Sequence, residues 1–493
     1  MIAQSTVAFL AQSLTYTAIL HMTLVAVIAV RVIMKRPATG VALAWLFLVF
    51  AVPFGGAAIY LLIGERRTGG RRAAELGHLR ADMHRLSERL VRDGRAAVDW
   101  SRHDPKAAGI HRLGQSIAGA SAIAGSQLTL HSKPNEILHA IAADIDAAET
   151  SVLMEFYIWN QGGDADLVLE ALKRAVARGV TCRVLVDALG GRPWWKGRQP
   201  AAMKAAGIEV LPALPVGPWR AIFGRTDLRL HRKIVVIDGK VGWTGSMNLV
   251  DPRFFKQDAG VGEWIDAMVR VEGRAVTLLA AVVVGDWAME VADSIDDLIR
   301  DSKLDLAAPK GDTDIQVIAS GPGETDDGLL LMLLALINAA RKELILTTPY
   351  FVPDEALLRA LRGAAGRGVK VVLVLPEKID SFLSRHASRT YFDELFGMGV
   401  EIRFYRDGLL HTKSITVDGE IAMFGTVNLD MRSLWLNFEV SLFVYGSEFT
   451  ERLRRLQHQY IADSDPLDAD AWAVRPFRER FIDNTFRLVS PLL

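Results

Sequence analysis

The chain has 493 residues, and its 57 lysines and arginines are balanced by 57 aspartates and glutamates, so the formal net charge is zero. This balance excludes a strongly basic protein that attracts nucleic acid through its overall field, although a local basic patch is compatible with it. The single cysteine, Cys182, excludes an intrachain disulfide framework. Half of the residues are hydrophobic, and because the excess lies at the N-terminus we expect a membrane-associated protein.

Two apolar stretches open the chain, at about residues 11–33 and 41–63, and define a first domain over residues 1–63. Each is close to the roughly 20 residues that a helix needs to cross a membrane, so together they predict an N-terminal transmembrane helical hairpin. A cleaved signal peptide is an alternative for the first stretch, but a basic segment before it and a small-residue cleavage site after it are missing. One re-entrant or interfacial segment is the other alternative.

Basic residues around these stretches favour a cytoplasmic catalytic domain only slightly. Three lie in or beside the short loop and four follow the second stretch: Arg31, Lys35 and Arg36 against Arg66, Arg67, Arg71 and Arg72. Residues 64–124 form a basic connector. Its first part, up to residue 98, is typical of a helix that is either solvated or attached to an anionic membrane surface.

Two halves with the same order of elements follow, over residues 125–305 and 306–493. Apolar runs and helical spacing predict a strand, a helix, a second strand and a third strand in each half. These lie at 151–159, 165–179, 180–187 and 205–214 in the first half, and at 343–352, 354–368, 369–376 and 396–405 in the second. The alternation predicts an α/β protein with two mixed-sheet halves and helices outside the sheet.

The strongest signal is a stretch that occurs once in each half. Residues 231–248 read HRKIVVIDGKVGWTGSMN and residues 411–428 read HTKSITVDGEIAMFGTVN. In each copy one residue separates the histidine from the lysine, and in a strand this spacing places both side chains on one face. The matched residues are His231, Lys233, Asp238 and Asn248 in the first copy and His411, Lys413, Asp418 and Asn428 in the second.

These residue types suit phosphoryl transfer. The ammonium groups of the two lysines and the amide groups of the two asparagines can bind phosphate oxygens, and one preorganised donor is typically worth about 3 kcal/mol at the transition state. One neutral histidine can attack phosphorus while the other, protonated, supplies a proton to the leaving oxygen. The symmetry of the two copies does not say which histidine has which role.

Asp238 and Asp418 belong to the catalytic motif but lie five residues beyond their lysines. This odd spacing turns them to the opposite face of a regular strand, so we expect them to brace the motif rather than to touch phosphate.

Two further carboxylates, Asp266 and Glu439, each lie seven residues before a glycine in otherwise apolar strands. We expect each to bond the far ring nitrogen of the histidine in its own motif, fixing the tautomer and supporting a positive imidazole. A structural ion pair in the sheet is the alternative. Paired cysteines, an HExxH sequence and a Walker A sequence are all missing, so neither a metal nor another cofactor is expected.

The interval 188–230 is the largest departure from the repeat. It mixes basic residues with Trp194, Trp195, Trp219, Ile222 and Phe223. Such a mixture suits an interfacial loop or a lid, with ordinary packing of a long connection as the alternative. The C-terminal residues 478–493 have a similar composition and are a candidate for a second membrane contact.

Both copies match the signature H-x-K-x4-D-x6-G-[ST]-x-N, so the chain resembles the phospholipase D superfamily. Residues 245–260 and 425–439, behind an apolar N-terminus, resemble the bacterial cardiolipin synthases in particular. The resemblance implies a duplicated phospholipase D-like fold with the active site between the halves. It also implies a phosphohistidine on His231, with His411 as general acid and then base.

The same resemblance implies phosphatidylglycerol as substrate, cardiolipin as product, the lipid bilayer as a partner, and a multi-pass protein of the bacterial inner membrane. Missing the D-x2-D-G-x2-A-R motif of CDP-alcohol phosphotransferases, the chain is not expected to use a CDP-diacylglycerol donor. A homo-oligomer is compatible with the sequence.

Three alternatives remain. A phospholipase D or another phosphatidyltransferase would use water or a different alcohol as acceptor on the same fold. A membrane-tethered nuclease is disfavoured by the zero net charge. A catalytically inactive lipid-binding scaffold is disfavoured because both motifs are intact.

Overall fold

The computed structural model describes residues 2–37, 39–64, 70–92, 96–217, 225, 227–291, 294–323, 325 and 327–488. The chain divides into two compact units, one of residues 1–69 with 216–227 and the other of residues 70–215 with 228–493. Both histidine motifs lie within the second unit.

The first unit begins with three helices, α1 (Ile2–Lys35), α2 (Thr39–Ala51) and α3 (Gly55–Ile63). Within the described residues one straight helix, Gln12–Lys35, is long and apolar enough to cross a membrane. The second apolar stretch, predicted as one span, is instead divided between α2 and α3. Pro53 lies at the break, where its ring and its missing amide hydrogen disfavour a continuous helix.

The three N-terminal helices pack on one another. Ile28, Val32, Val49, Ala57 and Tyr60 form a small buried cluster. The ring nitrogen Nε2 of His21 in α1 lies 3.2 Å from the carbonyl oxygen of Phe50 in α2.

Helices α4 (Gly70–Arg92) and α5 (Pro105–Ala118) occupy the predicted connector and belong to the second unit. Met83 and Leu90 of α4 are buried in the main core, and the buried hydroxyl of Ser87 donates to the carbonyl of Gly119 at 3.2 Å. The exposed arginines of α4 therefore lie on a helix whose other face is packed.

The first half supplies strands and helices in the predicted order. Its strands are β1 (Ile123–His131), β2 (Ser151–Phe156), β3 (Thr181–Asp187), β4 (Glu209–Ala213), β5 (Arg229–Leu230), β6 (Ile234–Ile237), β7 (Val241–Gly245), β8 (Trp264–Ile265) and β9 (Met268–Gly273). Its helices are α6 (Pro134–Asp146), α7 (Ala165–Ala177), α8 (Arg192–Trp195), α9 (Gln199–Ala205), α10 (Ala275–Val291) and α11 (Ile295–Asp301).

The second half repeats this order. Its strands are β10 (Thr313–Ser320), β11 (Glu343–Thr347), β12 (Phe351–Val352), β13 (Lys370–Pro376), β14 (Glu401–Tyr405), β15 (Leu409–Leu410), β16 (Ser414–Val417), β17 (Ile421–Gly425), β18 (Leu429–Asp430), β19 (Asn437–Tyr445) and β20 (Ser464–Pro466). Its helices are α12 (Gly328–Ala339), α13 (Glu355–Gly366), α14 (Phe382–Arg389), α15 (Phe392–Phe396), α16 (Met431–Trp435), α17 (Ser447–Ala462), α18 (Ala469–Ala473) and α19 (Phe477–Arg487).

One mixed sheet of 16 strands runs through the described part of both halves. Its order is β20-β14-β13-β11-β16-β17-β19-β10-β1-β9-β7-β6-β2-β3-β4, and β5 pairs with β19 off this path. Apart from the additional edge strand β20, the order is the same in both directions from the antiparallel β1–β10 junction, where Ile123 lies opposite Ile315. The duplication read from the sequence is therefore present as a symmetric sheet.

Helices cover both faces of this sheet. Helices α10 and α17 contribute to a core cluster shared by the two halves, whereas α6 and α7 pack on the first half and α12 and α13 on the second. Cover on both faces explains why strands such as β3 and β13 read as nearly continuous apolar runs. Helices α10 and α11, which meet at an angle of 118°, are together long and apolar enough to cross a membrane, but α10 is largely buried in this core.

The interval 188–230 is partly packed into the core. Trp194 is buried and stacks on Trp159, with ring centroids 5.4 Å apart. The indole nitrogen of Trp195 donates to the carbonyl oxygen of Asp187 at 3.3 Å. Ordinary packing therefore describes this part of the interval, while Trp219, Ile222 and Phe223 lie outside the described residues.

Candidate active site

Each motif histidine is held by a backbone contact with the opposite half. Strand β5, just before His231, pairs in parallel with β19, and the amide of His231 donates to the carbonyl of Phe438 at 2.9 Å. Strand β15, just before His411, pairs with β8, and the amide of His411 donates to the carbonyl of Ile265 at 2.8 Å. The chain therefore crosses between the halves immediately before each motif.

This crossing corrects the sequence prediction for the two carboxylates. Glu439 does not bond the histidine of its own motif: its two oxygens lie 2.9 and 2.8 Å from Nδ1 of His231 in the other half. Asp266 likewise lies 2.7 Å from Nδ1 of His411. The expectation of pairing within each half was wrong because β5 runs beside β19, which carries Glu439, and β15 runs beside β8, which ends just before Asp266.

The hydroxyl residue of each Gly-Ser/Thr-x-Asn sequence fixes the carboxylate of its own half. The Ser246 hydroxyl donates to Asp266 at 2.5 Å, and the Thr426 hydroxyl donates to Glu439 at 2.5 Å. Each carboxylate therefore joins a hydroxyl of one half to a histidine of the other. Because Nδ1 is occupied by the carboxylate, Nε2 is the nitrogen left to react in each histidine.

Both lysines lie beside the histidines in a buried position. The Nζ atom of Lys233 donates to the carbonyl of His231 at 2.6 Å, and that of Lys413 donates to the carbonyl of His411 at 2.5 Å. Burial lowers the pKa of Lys233 to about 8, against the opposing effect of Glu439 and Asp266. Burial, together with the charge of Lys233, holds the pKa of Lys413 well below its ordinary value.

Both histidines are neutral at pH 7 before substrate binds. Burial lowers the pKa of His231 to about 4, and Glu439 opposes this effect. Burial also lowers the pKa of His411 to about 4, opposed by Asp266. The lysine of each motif also lowers the pKa of the histidine in the other motif, so the two motifs share one electrostatic site.

The carboxylates themselves stay ionised. Burial alone would favour their neutral forms, but His231 and Lys233 hold the pKa of Glu439 below its ordinary value, and His411 and Lys413 do the same for Asp266. The site is thus built to hold a neutral imidazole next to a carboxylate, ready to accept positive charge.

Asn248 and Asn428 are both buried in the site. The side-chain oxygen of Asn248 accepts from the amide of Ile158 at 3.1 Å, which fixes the orientation of the side-chain amide. The backbone amide of Asn428 donates to the hydroxyl of Ser433 at 3.2 Å.

Asp238 and Asp418 lie at the far ends of the motif strands. Asp238 accepts backbone hydrogen bonds from Glu149, Thr150 and Ser151 at 2.7–3.0 Å. Asp418 accepts equivalent bonds from residues 341–343 and a side-chain bond from Lys106 at 3.1 Å. Asp238 therefore ties the turn after β6 to the start of β2, and Asp418 ties the turn after β16 to the start of β11.

Arg232, between His231 and Lys233, fixes the strand that carries Glu439. Its Nε donates to the carbonyl of Glu439 at 3.0 Å, and its guanidinium forms a buried ion pair with Asp286. The spacing of the motif gave no indication of this role, because arginine occupies a variable position of the signature.

Sequence reasoning also missed two aromatic residues that touch the histidines. The Tyr157 ring lies edge-on to His231, with centroids 5.1 Å apart, and the Trp264 ring lies 4.4 Å from that of His411. For Trp264, the sequence signal that could have predicted the contact was its position two residues before Asp266. Asn437 takes the same place before Glu439, so the surroundings of the two histidines differ.

A polar cluster adjoins the His411 side of the site. The carboxylate of Asp380 accepts from the hydroxyl of Tyr350 at 2.6 Å and pairs with Lys256 at 3.0 Å. The ammonium of Lys256 lies 5.3 Å from the ring of Trp264. Among the described residues, no group of three or more histidine, cysteine or carboxylate side chains is arranged to hold a metal ion.

Comparison with known proteins agrees with the family resemblance of the sequence motifs over nearly the whole chain. A family model described as "Cardiolipin synthase, PLD-like domain" matches residues 141–262 and 333–460, and one described as "Phospholipase_D-nuclease N-terminal" matches residues 23–65. Cardiolipin synthase A of Pectobacterium carotovorum subsp. carotovorum is 42% identical over 470 residues, covering 95% of this chain and 96% of that protein. The cardiolipin synthase A of Edwardsiella ictaluri is 43% identical over 475 residues, with the same coverage.

Among solved structures, the phosphatidylserine synthase of Haemophilus influenzae superposes with a TM-score of 0.58 at 14% identity, covering 78% of this chain and 99% of that one. At this identity the match shows a common fold. The duplicated sheet and the two histidine motifs thus define a member of the phospholipase D superfamily. Because relatives more than 40% identical extend over 95% of the chain, the chain belongs, within that superfamily, to the cardiolipin synthases, as the sequence motifs predicted.

Proposed function

We propose that the protein transfers a phosphatidyl group from one phosphatidylglycerol to a second, giving cardiolipin and free glycerol. The observation that carries this proposal is the pair of buried histidines, each held through Nδ1 by a carboxylate of the opposite half. Two such histidines on one phosphate supply both a nucleophile and a proton donor.

In the first step, Nε2 of neutral His231 attacks the phosphorus of the donor lipid. A nitrogen–phosphorus bond forms, the bond from phosphorus to the glycerol headgroup oxygen breaks, and protonated His411 gives its proton to that oxygen. Glu439 supports the positive charge that develops on His231, while Lys233, Lys413 and the two asparagines bind the phosphate oxygens.

Both histidines have a lowered pKa in the free protein, so His411 needs the negative charge of the bound phosphate in order to hold its proton. An opposite charge placed close to a buried group favours its charged form. Protonation of the general acid is therefore coupled to substrate binding.

The second step reverses these roles. Neutral His411 removes the proton from a glycerol hydroxyl of the second phosphatidylglycerol, whose oxygen attacks phosphorus. The nitrogen–phosphorus bond then breaks and regenerates His231. One phosphodiester replaces another, so the exchange is nearly isoenergetic and needs no nucleotide.

The test uses the purified full chain in phosphatidylglycerol vesicles without nucleotide or divalent metal, with lipid products resolved by mass. We expect cardiolipin and an equal amount of glycerol. Phosphatidic acid as the main product would instead make the protein a hydrolase, and no lipid turnover would contradict the proposal.

Two variants assign the histidines. With a phosphatidyl ester of 4-nitrophenol, whose leaving group needs no proton, we expect His411→Ala to release one equivalent of nitrophenol per site and to retain a phosphorylated histidine. His231→Ala should release none. The reverse pattern would exchange the two roles.

For the N-terminus, we propose that α1 crosses the inner membrane and that α2 and α3 return through it as a broken second span, with the catalytic unit on the cytoplasmic side. Supporting this hairpin, α1 contacts α2 through His21 and Phe50, while large apolar residues of both helices, including Leu20, Val30 and Phe47, are exposed. Exposed apolar faces of this kind suit lipid.

Cysteines introduced singly at Thr39 and Gly64 test the hairpin, since the native Cys182 is buried. With a membrane-impermeant maleimide in intact cells, a hairpin labels only the Thr39→Cys variant, and Gly64→Cys labels after lysis. Labelling of neither or both in intact cells would favour a re-entrant segment or the opposite topology.

A further inference from the structure

The last helix, α19, carries apolar residues on the face where solvent-exposed helices usually carry polar ones. Phe477, Phe481 and Leu488 are 79%, 61% and 81% exposed. Their spacing of four and seven residues places them on one side of the helix. The rings of Phe477 and Phe481 stack on each other, with centroids 6.1 Å apart, rather than on the body of the protein.

The opposite side of α19 is fixed to α14 by polar and aromatic contacts. Buried Asp483 accepts from His386 at 2.7 Å and from Arg389 at 3.0 Å. Phe486 packs edge-on against Phe382, with centroids 5.4 Å apart. Helix α19 is therefore docked with a definite orientation, and its exposed apolar stripe is a property of the folded protein.

Helix α14, which packs against the opposite side of α19, carries two more exposed apolar side chains. Phe382 and Leu383 are also exposed, and together with Phe477, Phe481 and Leu488 they form what we call the α14–α19 face. Three exposed arginines, Arg385, Arg478 and Arg480, form no ion pair within the described part of the chain. Apolar and aromatic side chains mixed with cationic ones are the composition that suits the headgroup region of an anionic bilayer.

The start of α14 lies two residues from a series of contacts that leads to His411. Asp380, two residues before Phe382, pairs with Lys256 at 3.0 Å. Lys256 in turn lies 5.3 Å from the ring of Trp264, which contacts His411. A surface that touches lipid at Phe382 therefore adjoins the side of the site where the leaving and entering glycerol groups are handled.

We propose that the α14–α19 face lies in the headgroup region of an anionic bilayer and holds the mouth of the active site against it. This contact is separate from the N-terminal helices and goes beyond the transfer reaction itself. The proposed contact determines how the substrate, a membrane lipid, reaches the active site.

The first test measures contact directly and needs no turnover. A Phe481→Cys variant in a Cys182→Ser background is labelled with an environment-sensitive fluorophore and reconstituted, as full chain, into vesicles containing phosphatidylglycerol. We expect the fluorophore to be quenched by lipids that carry a spin label near the headgroup. The matched control is Leu306→Cys, a residue that is also exposed. The residues just before it, Leu304 and Asp305, lie beside Gly239. Gly239 is in the turn after β6, at the end of that strand opposite to His231.

Equal quenching of both labels, or of neither, would overturn the proposal. A second result would also overturn it: energy transfer between labelled copies of the chain that does not depend on lipid, together with no quenching by spin-labelled lipid. That result would assign the face to a contact with a second copy of the chain.

The second test separates docking from chemistry. In a Phe477→Asp, Phe481→Asp double variant we expect the turnover of phosphatidylglycerol in vesicles to fall at least about tenfold. A tenfold loss of rate corresponds to about 1.4 kcal/mol of activation free energy. Turnover of a short-chain phosphatidylglycerol, dissolved below its micelle concentration, should stay at the wild-type value. Equal losses on both substrates, or none on vesicles, would contradict the proposal. If wild type makes no cardiolipin in either form, the proposed reaction fails while the quenching test still stands.

Discussion

Replacing Glu439 by glutamine tests the arrangement that most distinguishes this site, the pairing of each histidine with a carboxylate of the other half. Glutamine keeps the volume and one acceptor oxygen but removes the charge that faces Nδ1 of His231 at 2.8 Å. A charge-assisted hydrogen bond contributes about 1.5–3 kcal/mol. We therefore expect Glu439→Gln to lower kcat by about 10- to 150-fold, with KM near wild type because Glu439 does not reach the lipid.

The assay is rapid-quench measurement of nitrophenol release from a phosphatidyl nitrophenyl ester, which isolates attack by His231. Glu439→Gln should slow this burst, whereas Asp266→Asn, which acts on His411, should leave it near wild type and slow only the second step. Pairing within each half would give the reverse pattern. If Glu439 were only a structural ion pair, the variant would lose thermal stability while each folded molecule kept its burst rate, and the reasoning would be refuted.

Three further results are expected. Because Lys233 has its pKa lowered from 10.5 to about 8 and binds phosphate only as the ammonium, kcat/KM should fall about tenfold from pH 7 to pH 9; a limb near the ordinary lysine value would argue against this role. Asp238→Ala removes the acceptor of three backbone amides and should lower the unfolding free energy by about 2–4 kcal/mol. Asp238→Asn, which tolerates the φ of 52° at this turn, should lose less in denaturant unfolding. Dialysis against EDTA should leave the transfer rate unchanged, and a loss restored by Mg²⁺ would contradict metal-free phosphate binding.

The repeat itself could be predicted because its signals are local. The spacing of histidine and lysine, the helices that end before Gly179 and Gly368, and the alternating strands each depend on neighbouring residues. Pro53 is a local signal of the same kind, since proline inside a helical pattern ends or kinks the helix, and α2 ends two residues before it.

The cross-pairing of the histidines could not be predicted in this way. It depends on contacts between β5 and β19, which lie more than 200 residues apart, and a periodic pattern within each half contains no information about which half supplies a neighbouring strand. Similarly, the composition around Trp194 suited an interface, but its stacking on Trp159 depends on tertiary packing. The roles assigned to the asparagines and to the two motif histidines remain predictions until the variants are measured.

The exchange of carboxylates also has a consequence for the origin of the chain. A half produced alone would contain a histidine with no carboxylate partner, whereas two identical halves related by a twofold axis at the β1–β10 junction would contain both pairs. A gene for one half could therefore encode a complete site as a homodimer, and fusion of two copies would keep both pairs intact. After fusion the surroundings could diverge, as Trp264 beside His411 and Asn437 beside Glu439 illustrate. A single chain can thus keep the symmetry that the histidines need and still give the two sides of the phosphate different tasks.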